Sequence, residues 1–208
     1  MEIEAKFAVP ADATPEKLRA LDRVGNFALG ERERVTMRDT FFDTRANALQ
    51  NVHYVLRVRK RNDGKFLLTL KTPTTTDGAI HRRPEIEMEM NPARATRVLR
   101  VNELPKKFRQ LIAPVTQENL YPLFSISQTR EVRNVLRGRR VIAEWSLDFV
   151  KYRAGERKRA FYELEIELKK AGTENDLQNI AEWLQKEFQL RHVEKGKFLR
   201  AVEFMRGN

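Results

Sequence analysis

The feature that most constrains the fold of this chain is a sustained alternation of charged and apolar side chains. In residues 54–61 arginine alternates with leucine and valine, and in residues 161–169 glutamate alternates with leucine and isoleucine. A period of two is typical of β-strands, because successive side chains point to opposite faces of a strand. The sequence therefore predicts a sheet whose strands each have one charged face and one apolar face.

Short connections between such segments favour antiparallel pairing. Residues 62–65, Asn-Asp-Gly-Lys, have the composition of a tight hairpin turn. Residues 173–190 have apolar side chains at helical spacing. Shorter helices are predicted at 15–23 and, in two pieces, at 93–113, with a polar loop at 72–79. Strands are predicted at residues 2–9, 36–42, 54–61, 66–71, 81–90, 123–136, 141–150 and 161–169. We expect one α+β domain over residues 1–208.

The sign of the charges bears on which face of each strand is buried. Acidic groups gather on some predicted strands and basic groups on others. The plainest interpretation is that each charged face is exposed, since an alternating strand usually has one wet face. A solvated face, however, usually mixes charges of both signs, because neighbouring like charges are unfavourable. The predicted helices also have apolar stripes that must cover an apolar surface. We therefore predict a closed antiparallel β-barrel of about eight strands, with its charged faces turned inward.

Composition excludes several classes of protein. The 208 residues include no cysteine, so disulfides and thiolate metal sites are ruled out. The three histidines are far apart and lack metal-ligand spacing. No stretch approaches the roughly 18 apolar residues of a membrane span, and the first residues lack the pattern of a signal peptide. We expect a cytoplasmic protein with no membrane partner. The net charge of +11 favours anionic partners without choosing among them.

An interior lined with both carboxylates and guanidinium groups is costly to form empty. Metal-assisted phosphoryl transfer is the chemistry that uses both signs together. Carboxylates hold Mg²⁺ or Mn²⁺ through oxygen ligands. Arginine and lysine bind phosphate oxygens, and arginine can do so with two parallel hydrogen bonds. The pattern therefore favours a phosphate-handling site that works with a divalent metal.

The segment Glu2-Ile3-Glu4-Ala5-Lys6 resembles the ExExK signature of the CYTH superfamily, also called triphosphate tunnel metalloenzymes. Further matches follow in order along nearly the whole chain. They are Phe42-Asp43-Thr44, Leu56-Arg57-Val58-Arg59, Thr69-Leu70-Lys71, Arg83-Pro84-Glu85, Thr129-Arg130, Leu147-Asp148 and Glu163-Leu164-Glu165. Residues 78–85 also resemble bacterial inorganic triphosphatases of this superfamily. The resemblance implies an eight-stranded antiparallel tunnel that is open at both ends.

The resemblance also implies a role for each matching residue. The metal ligands would be Glu2, Glu4, Asp148, Glu163 and Glu165. The residues that bind the substrate phosphates would be Lys6, Arg57, Arg59, Lys71, Arg83, Arg130, Lys197 and Arg200. The catalytic residues would be Lys6, Arg57, Arg59 and Lys71, with Glu85 as a further tunnel acid.

One departure concerns the C-terminal part of the pattern. The family often has Ser-Lys there, followed by an arginine three residues on, whereas this chain has Gly196-Lys197 and Arg200. We expect Lys197 to contact phosphate. Lys195 is the alternative, because a shift of two residues preserves the facing of a strand.

The leading functional hypothesis is hydrolysis of inorganic tripolyphosphate to diphosphate and phosphate by attack of water. A class IV adenylate cyclase or a thiamine-triphosphatase would use the same tunnel, but each needs a subsite for an organic group that we cannot identify in the sequence. A rival of another class is a non-catalytic protein that binds polyphosphate or nucleic acid, favoured by the net charge. The arginines alternate within strands and face carboxylates, unlike the exposed basic surface of most nucleic-acid binders. We therefore expect a small triphosphate as partner, no nucleic acid, and a monomer or homodimer.

Overall fold

The computed structural model describes residues 1–78, 80–95 and 97–207. Ala79 and Thr96 fall in the predicted polar loop and the predicted 93–113 helix, and they lie outside the described residues. The chain divides into two compact units. Unit 1 consists of Met1, Met37–Thr74 and Arg83–Ser127, and unit 2 consists of Glu2–Thr36, Thr75–Arg82 and Gln128–Asn208.

Both units combine strands with a few helices, which confirms the predicted α+β class. The strands are β1 Glu2–Val9, β2 Arg23–Val24, β3 Phe27–Leu29, β4 Glu33–Asp43, β5 Val55–Arg61, β6 Phe66–Lys71, β7 Thr75–Asp77, β8 Ile80–Arg83, β9 Glu85–Glu89, β10 Tyr121–Arg137, β11 Arg140–Ala154, β12 Arg157–Leu168 and β13 Arg191–His192. The helices are α1 Thr14–Arg19, α2 Ala48–Asn51, α3 Lys106–Ile112, α4 Glu174–Phe188 and α5 Lys197–Arg206, with 3-10 turns at Pro92–Arg94 and Val101–Glu103.

In unit 2 the strands pair in the order β7, β8, β1, β12, β11 and β10. The β1–β12 and β11–β12 pairs are both antiparallel. Hairpin spacing predicted this for β11 and β12, whereas β1 and β12 are distant in the sequence. Their register places Lys6 opposite Glu165 and Asp148 opposite Glu163. Opposed residues on paired strands share a face of the sheet. The alternation of these three strands therefore collects their charged side chains on one face.

The other face of the same strands is apolar and packs against α4. Leu164 of β12 and Leu177 of α4 are both fully buried in this core. The helix starts with a capping box, in which Thr173 accepts a hydrogen bond from the Asp176 amide and the Asp176 carboxylate accepts one from the Thr173 amide. This helix thus covers the apolar side of charged strands, as the sequence predicted.

In unit 1 the strands pair in the order β4, β5, β6 and β9, and all three pairs are antiparallel. The register places Asp39 opposite Arg59 and Lys71 opposite Glu85. One face again carries polar groups, and the apolar core includes residues of α3. The core members include Phe42, Leu56, Leu68, Leu70, Leu104, Phe108 and Ile112.

Two predicted elements have different forms in the structure. The strand predicted at 81–90 is divided into β8 and β9 at Pro84, since proline has no N–H to donate to a strand pair. The helix predicted at 93–113 forms α3 only from Lys106, and before it the described residues form the two 3-10 turns. Closure of the strands into a barrel of about eight strands stays a prediction.

The C-terminal segment was assigned wrongly. The sequence predicts strand positions for Lys195 and Lys197, but Lys197 is the first residue of α5. The apolar residues Phe198, Ala201 and Val202 lie at helical spacing and are buried. A shift of two residues therefore does not preserve the facing of the side chain, and Lys195 instead pairs with Glu203 at an exposed position.

Candidate functional site

Unit 2 holds a buried group of carboxylates and cations on the charged face of β1, β11 and β12. Glu4, Asp148 and Glu163 have 3%, 0% and 0% of their surface exposed. Charged groups of this kind are almost never buried unless they are paired. The members of this group, called here the unit 2 cluster, are Glu4, Lys6, Arg130, Asp148, Glu163, Glu165, Lys197 and Arg200.

Arg130, from β10, binds Asp148 with two parallel hydrogen bonds of 2.7 and 2.6 Å. The same guanidinium group also donates to Glu165. Lys6, from β1, pairs with Glu4 at 2.7 Å. Both cations are therefore held by carboxylates within the same charged layer. A planar guanidinium suits two-pronged binding of carboxylate or phosphate alike.

The first turn of α5 supplies two more cations. Lys197 Nζ lies 2.7 Å from Asp148 Oδ2, 2.7 Å from Glu165 Oε1 and 2.9 Å from Glu163 Oε1. Arg200, one turn further on, pairs with Glu163. The ammonium group of Lys197 thus lies where three carboxylates meet.

Electrostatic pairing favours the charged forms of Glu165, Lys197 and Lys6 in the unit 2 cluster. Burial opposes the charged form of Glu165, but Lys197 and a neighbouring guanidinium hold the pKa of this carboxyl well below its ordinary value. Burial also opposes the charge of Lys197, yet Asp148 and Glu165 raise its pKa. Burial likewise disfavours charged Lys6, and Glu4 is the main group that raises its pKa. These three groups are therefore charged at neutral pH.

The donors of the cluster have the chemistry of a site for a hard divalent cation. Carboxylate oxygens are the ligands that Mg²⁺ and Mn²⁺ prefer. One of them, Glu163 Oε1, is buried within ion-pair distance of Lys197 but receives no aligned hydrogen bond. Within residues 1–78, 80–95 and 97–207, no group of three or more His, Asp or Glu side chains is arranged to hold a metal ion. The donor chemistry therefore fits a divalent cation, whereas the arrangement surrounds an ammonium group.

Unit 1 has a second charged group, centred on Asp39 of β4. Arg59 donates two hydrogen bonds to this buried carboxylate, at 2.7 and 2.8 Å, and Arg57 donates one at 3.3 Å. Thr69 Oγ1 donates to Glu87 at 2.8 Å, and Glu87 lies 4.0 Å from Arg57. One carboxylate thus holds two predicted phosphate-binding arginines side by side.

Three further predicted residues of unit 1 lie nearby in sequence but have different partners. Lys71 of β6 pairs with Glu85 of β9 at 3.0 Å. Arg83 donates to the backbone carbonyls of Thr72, at 2.5 Å, and His53, at 3.3 Å. Its guanidinium therefore helps to hold two loops, a structural role that the sequence did not indicate.

Each predicted metal ligand lies in unit 2. Glu4, Asp148, Glu163 and Glu165 all belong to the cluster. Glu2 lies two residues before Glu4 on β1, and its charge, secondary to burial, helps to raise the pKa of Glu167. The metal-binding and phosphate-binding roles of these residues remain predictions.

Two important residues were missed by sequence reasoning. Asp39 lies in a strand with apolar side chains on both of its faces, so no acidic alternation marked it. The feature that would have identified Asp39 is its position opposite Arg59, and this position is known only once the register of β4 with β5 is known. Tyr152 is buried, and its hydroxyl donates to the Lys197 carbonyl at 2.9 Å. No local pattern connects residues so far apart in the sequence.

None of the helices in the described part of the chain has the length and apolar character needed to cross a membrane.

Fold and site together define an antiparallel α+β protein in which buried carboxylates are neutralised by lysine and arginine. Such a site is suited to highly charged ligands. The chain belongs to the CYTH family, since the model of the CYTH domain matches residues 1–202. The resemblance found in the sequence motifs is thereby confirmed.

Several solved structures have a similar fold. A candidate adenylyl cyclase from Hippeastrum, described as having a dominant triphosphatase activity, is 21% identical with a TM-score of 0.74, and the match covers 98% of this chain and 96% of that one. A candidate adenylate cyclase from Bacillus halodurans is 21% identical with a TM-score of 0.63 and 96% coverage of both chains. The PH1819 protein from Pyrococcus horikoshii is 20% identical with a TM-score of 0.58, covering 97% and 98%. At these identities the likeness establishes the fold.

Proposed function

We propose that this chain is a metal-dependent triphosphatase that hydrolyses inorganic tripolyphosphate to diphosphate and phosphate. The observation that carries the proposal is the unit 2 cluster, where Asp148, Glu163 and Glu165 converge among buried cations. A site built wholly from carboxylates, lysine and arginine offers ligands to divalent cations and to phosphate oxygens, the two components of such a reaction. Membership of the CYTH family is consistent with this chemistry.

The cations of both units would bind the phosphate groups. Arg130 already presents two parallel N–H groups to Asp148, and Arg59 does the same to Asp39. Phosphate oxygens accept the same paired geometry. The proposal assigns phosphate binding to Lys6, Arg57, Arg59, Lys71, Arg83, Arg130, Lys197 and Arg200.

The carboxylates of unit 2 would hold the metal. Glu2, Glu4, Asp148, Glu163 and Glu165 would bind Mg²⁺ or Mn²⁺, which stabilises developing negative charge and makes water a better nucleophile. Glu85 would orient Lys71, its partner at 3.0 Å.

In the proposed reaction a water oxygen attacks a terminal phosphorus while the bridging P–O bond breaks. The bridging oxygen leaves with diphosphate, and the water oxygen leaves with phosphate. One proton of the water stays on the phosphate product, and the other passes to the diphosphate or to solvent. Lys6, Arg57, Arg59, Lys71 and the other cations would hold the substrate oxygens in line for this displacement. The single domain over residues 1–208, the closed tunnel of about eight strands and a cytoplasmic location are parts of the same proposal.

The direct test is release of phosphate from tripolyphosphate with Mg²⁺, with Mn²⁺ and with EDTA. ATP and thiamine triphosphate are run in parallel, with analysis for cyclic AMP and thiamine diphosphate. We expect metal-dependent turnover that is fastest on tripolyphosphate. Faster turnover of ATP to cyclic AMP, or of thiamine triphosphate, would replace the proposed substrate. Tight binding of DNA at physiological salt without turnover would reject the enzyme altogether.

Glu165→Gln tests the site itself. The substitution keeps the shape of the side chain and removes a charge that contacts Lys197 and Arg130. We expect turnover to fall by about a hundredfold or more, because a carboxylate ligand is lost. Glu182→Gln is the matched control, since Glu182 lies on the exposed side of α4. Equal activity in the two variants would remove Glu165 from the site.

A further inference from the structure

Lys197 lies at the point that the carboxylates of unit 2 share. Its ammonium group is within 2.9 Å of Asp148, Glu163 and Glu165. The side chains of Asp148 and Glu163 are completely buried, and only 11% of the Lys197 side chain is exposed. A cation at the meeting point of three carboxylates lies where their combined negative charge would also attract a divalent ion.

The summed charge of the cluster determines whether a divalent ion can enter while Lys197 stays in place. Its eight members are four carboxylates and four cations, so their formal charges sum to zero. A divalent ion added to a neutral buried group would leave two positive charges without compensation, which is costly. Entry of such an ion therefore requires one of the resident cations to leave its carboxylates, or anionic ligands to arrive as well.

Among the cations paired with Asp148, Glu163 or Glu165, Lys197 is the one best able to leave. Arg130 is fixed by two parallel hydrogen bonds to Asp148 and by a contact to Glu165. Arg200 is fixed by Glu163 and by stacking over an aromatic ring. A lysine ammonium is instead a compact charge on a flexible four-carbon stem.

The backbone of Lys197 can stay in place while its side chain moves. The buried hydroxyl of Tyr152 donates to the Lys197 carbonyl at 2.9 Å. The Arg200 amide donates to the Gly196 carbonyl, which closes the first turn of α5. Rotation of the lysine stem is therefore sufficient, and the helix need not detach.

We propose that Lys197 is a built-in competitor of the divalent ion: its ammonium neutralises Asp148, Glu163 and Glu165 in the metal-free protein and leaves them when the ion binds. The released ammonium is then free to bind a phosphate oxygen. This inference rests on the proposed function only in assuming that a divalent ion binds these carboxylates.

The first test measures Mn²⁺ binding by calorimetry with no triphosphate present. Lys197→Gln removes the competitor, and we expect Mn²⁺ to bind this variant roughly tenfold more tightly than the wild type. Lys195→Gln is the matched control. Lys195 lies two residues before Lys197 and forms an exposed ion pair with Glu203, so the substitution removes the same charge outside the cluster. We expect its affinity for Mn²⁺ to equal that of the wild type.

The second test uses the unaltered protein and so does not depend on the folding of a variant. Reductive methylation of lysines is followed by mass spectrometry with and without saturating Mn²⁺. We expect Lys197 to be protected without Mn²⁺ and to react at least several-fold faster with it, while Lys195 reacts equally in both. This test separates the proposal from a simple effect of local charge. If Lys197 only repelled Mn²⁺ without moving, Lys197→Gln would bind Mn²⁺ more tightly, but Lys197 of the wild type would stay protected when Mn²⁺ binds.

The inference is overturned if Lys197→Gln binds Mn²⁺ no more tightly than the wild type, if Lys197 stays protected at saturating Mn²⁺, or if the wild type binds no Mn²⁺. None of these measurements includes a triphosphate or a turnover step. Their failure is therefore distinct from failure of the proposed hydrolysis, which is measured by phosphate release alone.

Discussion

At the scale of single residues, Asp39 determines how two arginines of unit 1 are presented. Its carboxylate is 1% exposed and accepts hydrogen bonds from both Arg57 and Arg59. Without it, two guanidinium groups on the same strand would repel each other in a partly buried position. Asp39 is therefore a positioning residue for the proposed phosphate-binding arginines.

Asp39→Asn keeps the shape of the side chain and removes this charge. We expect the free energy of unfolding to fall by about 3 kcal/mol, since two partly buried arginines lose a buried carboxylate partner. We also expect phosphate release to slow by about tenfold or more, because misplaced binding groups are costly to catalysis. Urea unfolding and a phosphate assay measure the two effects.

Asp63→Asn is the control for that prediction. Asp63 also pairs with an arginine of β5, Arg61, at 3.2 Å, but it lies at an exposed turn. An exposed ion pair contributes only about 0–1 kcal/mol. Similar losses in the two variants would show that burial of Asp39 has no special importance.

His81 makes stability depend on pH. Burial, with the charge of Lys6, lowers its pKa from the ordinary 6.5, although Glu4 opposes the shift. His192 also faces it, and burial lowers the pKa of His192 too. The folded protein disfavours protonation, so stability is full above pH 6.5 and is lost as the pH falls through the folded-state pKa.

We expect urea unfolding to show lower stability at about pH 5 than at about pH 8, and His81→Gln to reduce this difference. His53→Asn, at an exposed position with a left-handed backbone that asparagine tolerates, should leave it unchanged. An unaltered pH dependence in His81→Gln would assign the effect to other groups.

At the scale of secondary structure elements, the junction between β12 and α4 is unusually close-packed. A Cβ atom on Gly172 would lie 2.2 Å from the Ile142 carbonyl oxygen and 2.7 Å from a methyl carbon of Leu168. The same Ile142 carbonyl accepts a hydrogen bond from the Lys169 amide at 2.9 Å. Because glycine has no Cβ atom, the chain can pass close to the backbone of β11 after β12 ends and then begin α4 at Thr173.

Gly172→Ala should destabilise the protein by about 2 kcal/mol, because the backbone must shift to accept the methyl group. Thermal unfolding measures the change. In Gly30→Ala the nearest atom would be 3.5 Å away, an ordinary contact, and we expect a change within about 1 kcal/mol. If the two variants lose the same stability, the close approach of Gly172 to the Ile142 carbonyl oxygen is not important for the stability of this junction.

At the scale of the whole molecule, the net charge of +11 acts on any anionic substrate. We expect the KM for tripolyphosphate to rise with NaCl while kcat changes little. The reason is that the screening length falls from about 10 Å at 0.1 M salt to about 3 Å at 1 M. Steady-state kinetics at constant free Mg²⁺ test this, with sucrose as an uncharged control. A constant KM would show that long-range attraction is unimportant.

Although the short strands β2, β3, β7 and β13 were not predicted, the sequence by itself determined the positions of the longer strands, their antiparallel pairing and the type of side chain on each face. This was possible because a period of two is a local property that survives in any tertiary context. The carboxylates Asp148 and Glu163 were identified from that alternation together with the motif resemblance, and both are buried.

Only the tertiary structure decided which charges meet. The position of Lys197 among three carboxylates depends on α5 packing against β11, and the role of Asp39 depends on the register of β4 with β5. Arg83 donates hydrogen bonds to two backbone carbonyls, contacts that its place in the sequence did not indicate. Alternation tells which way a side chain faces, whereas its partner is set by contacts between segments distant in the sequence, which no local pattern encodes.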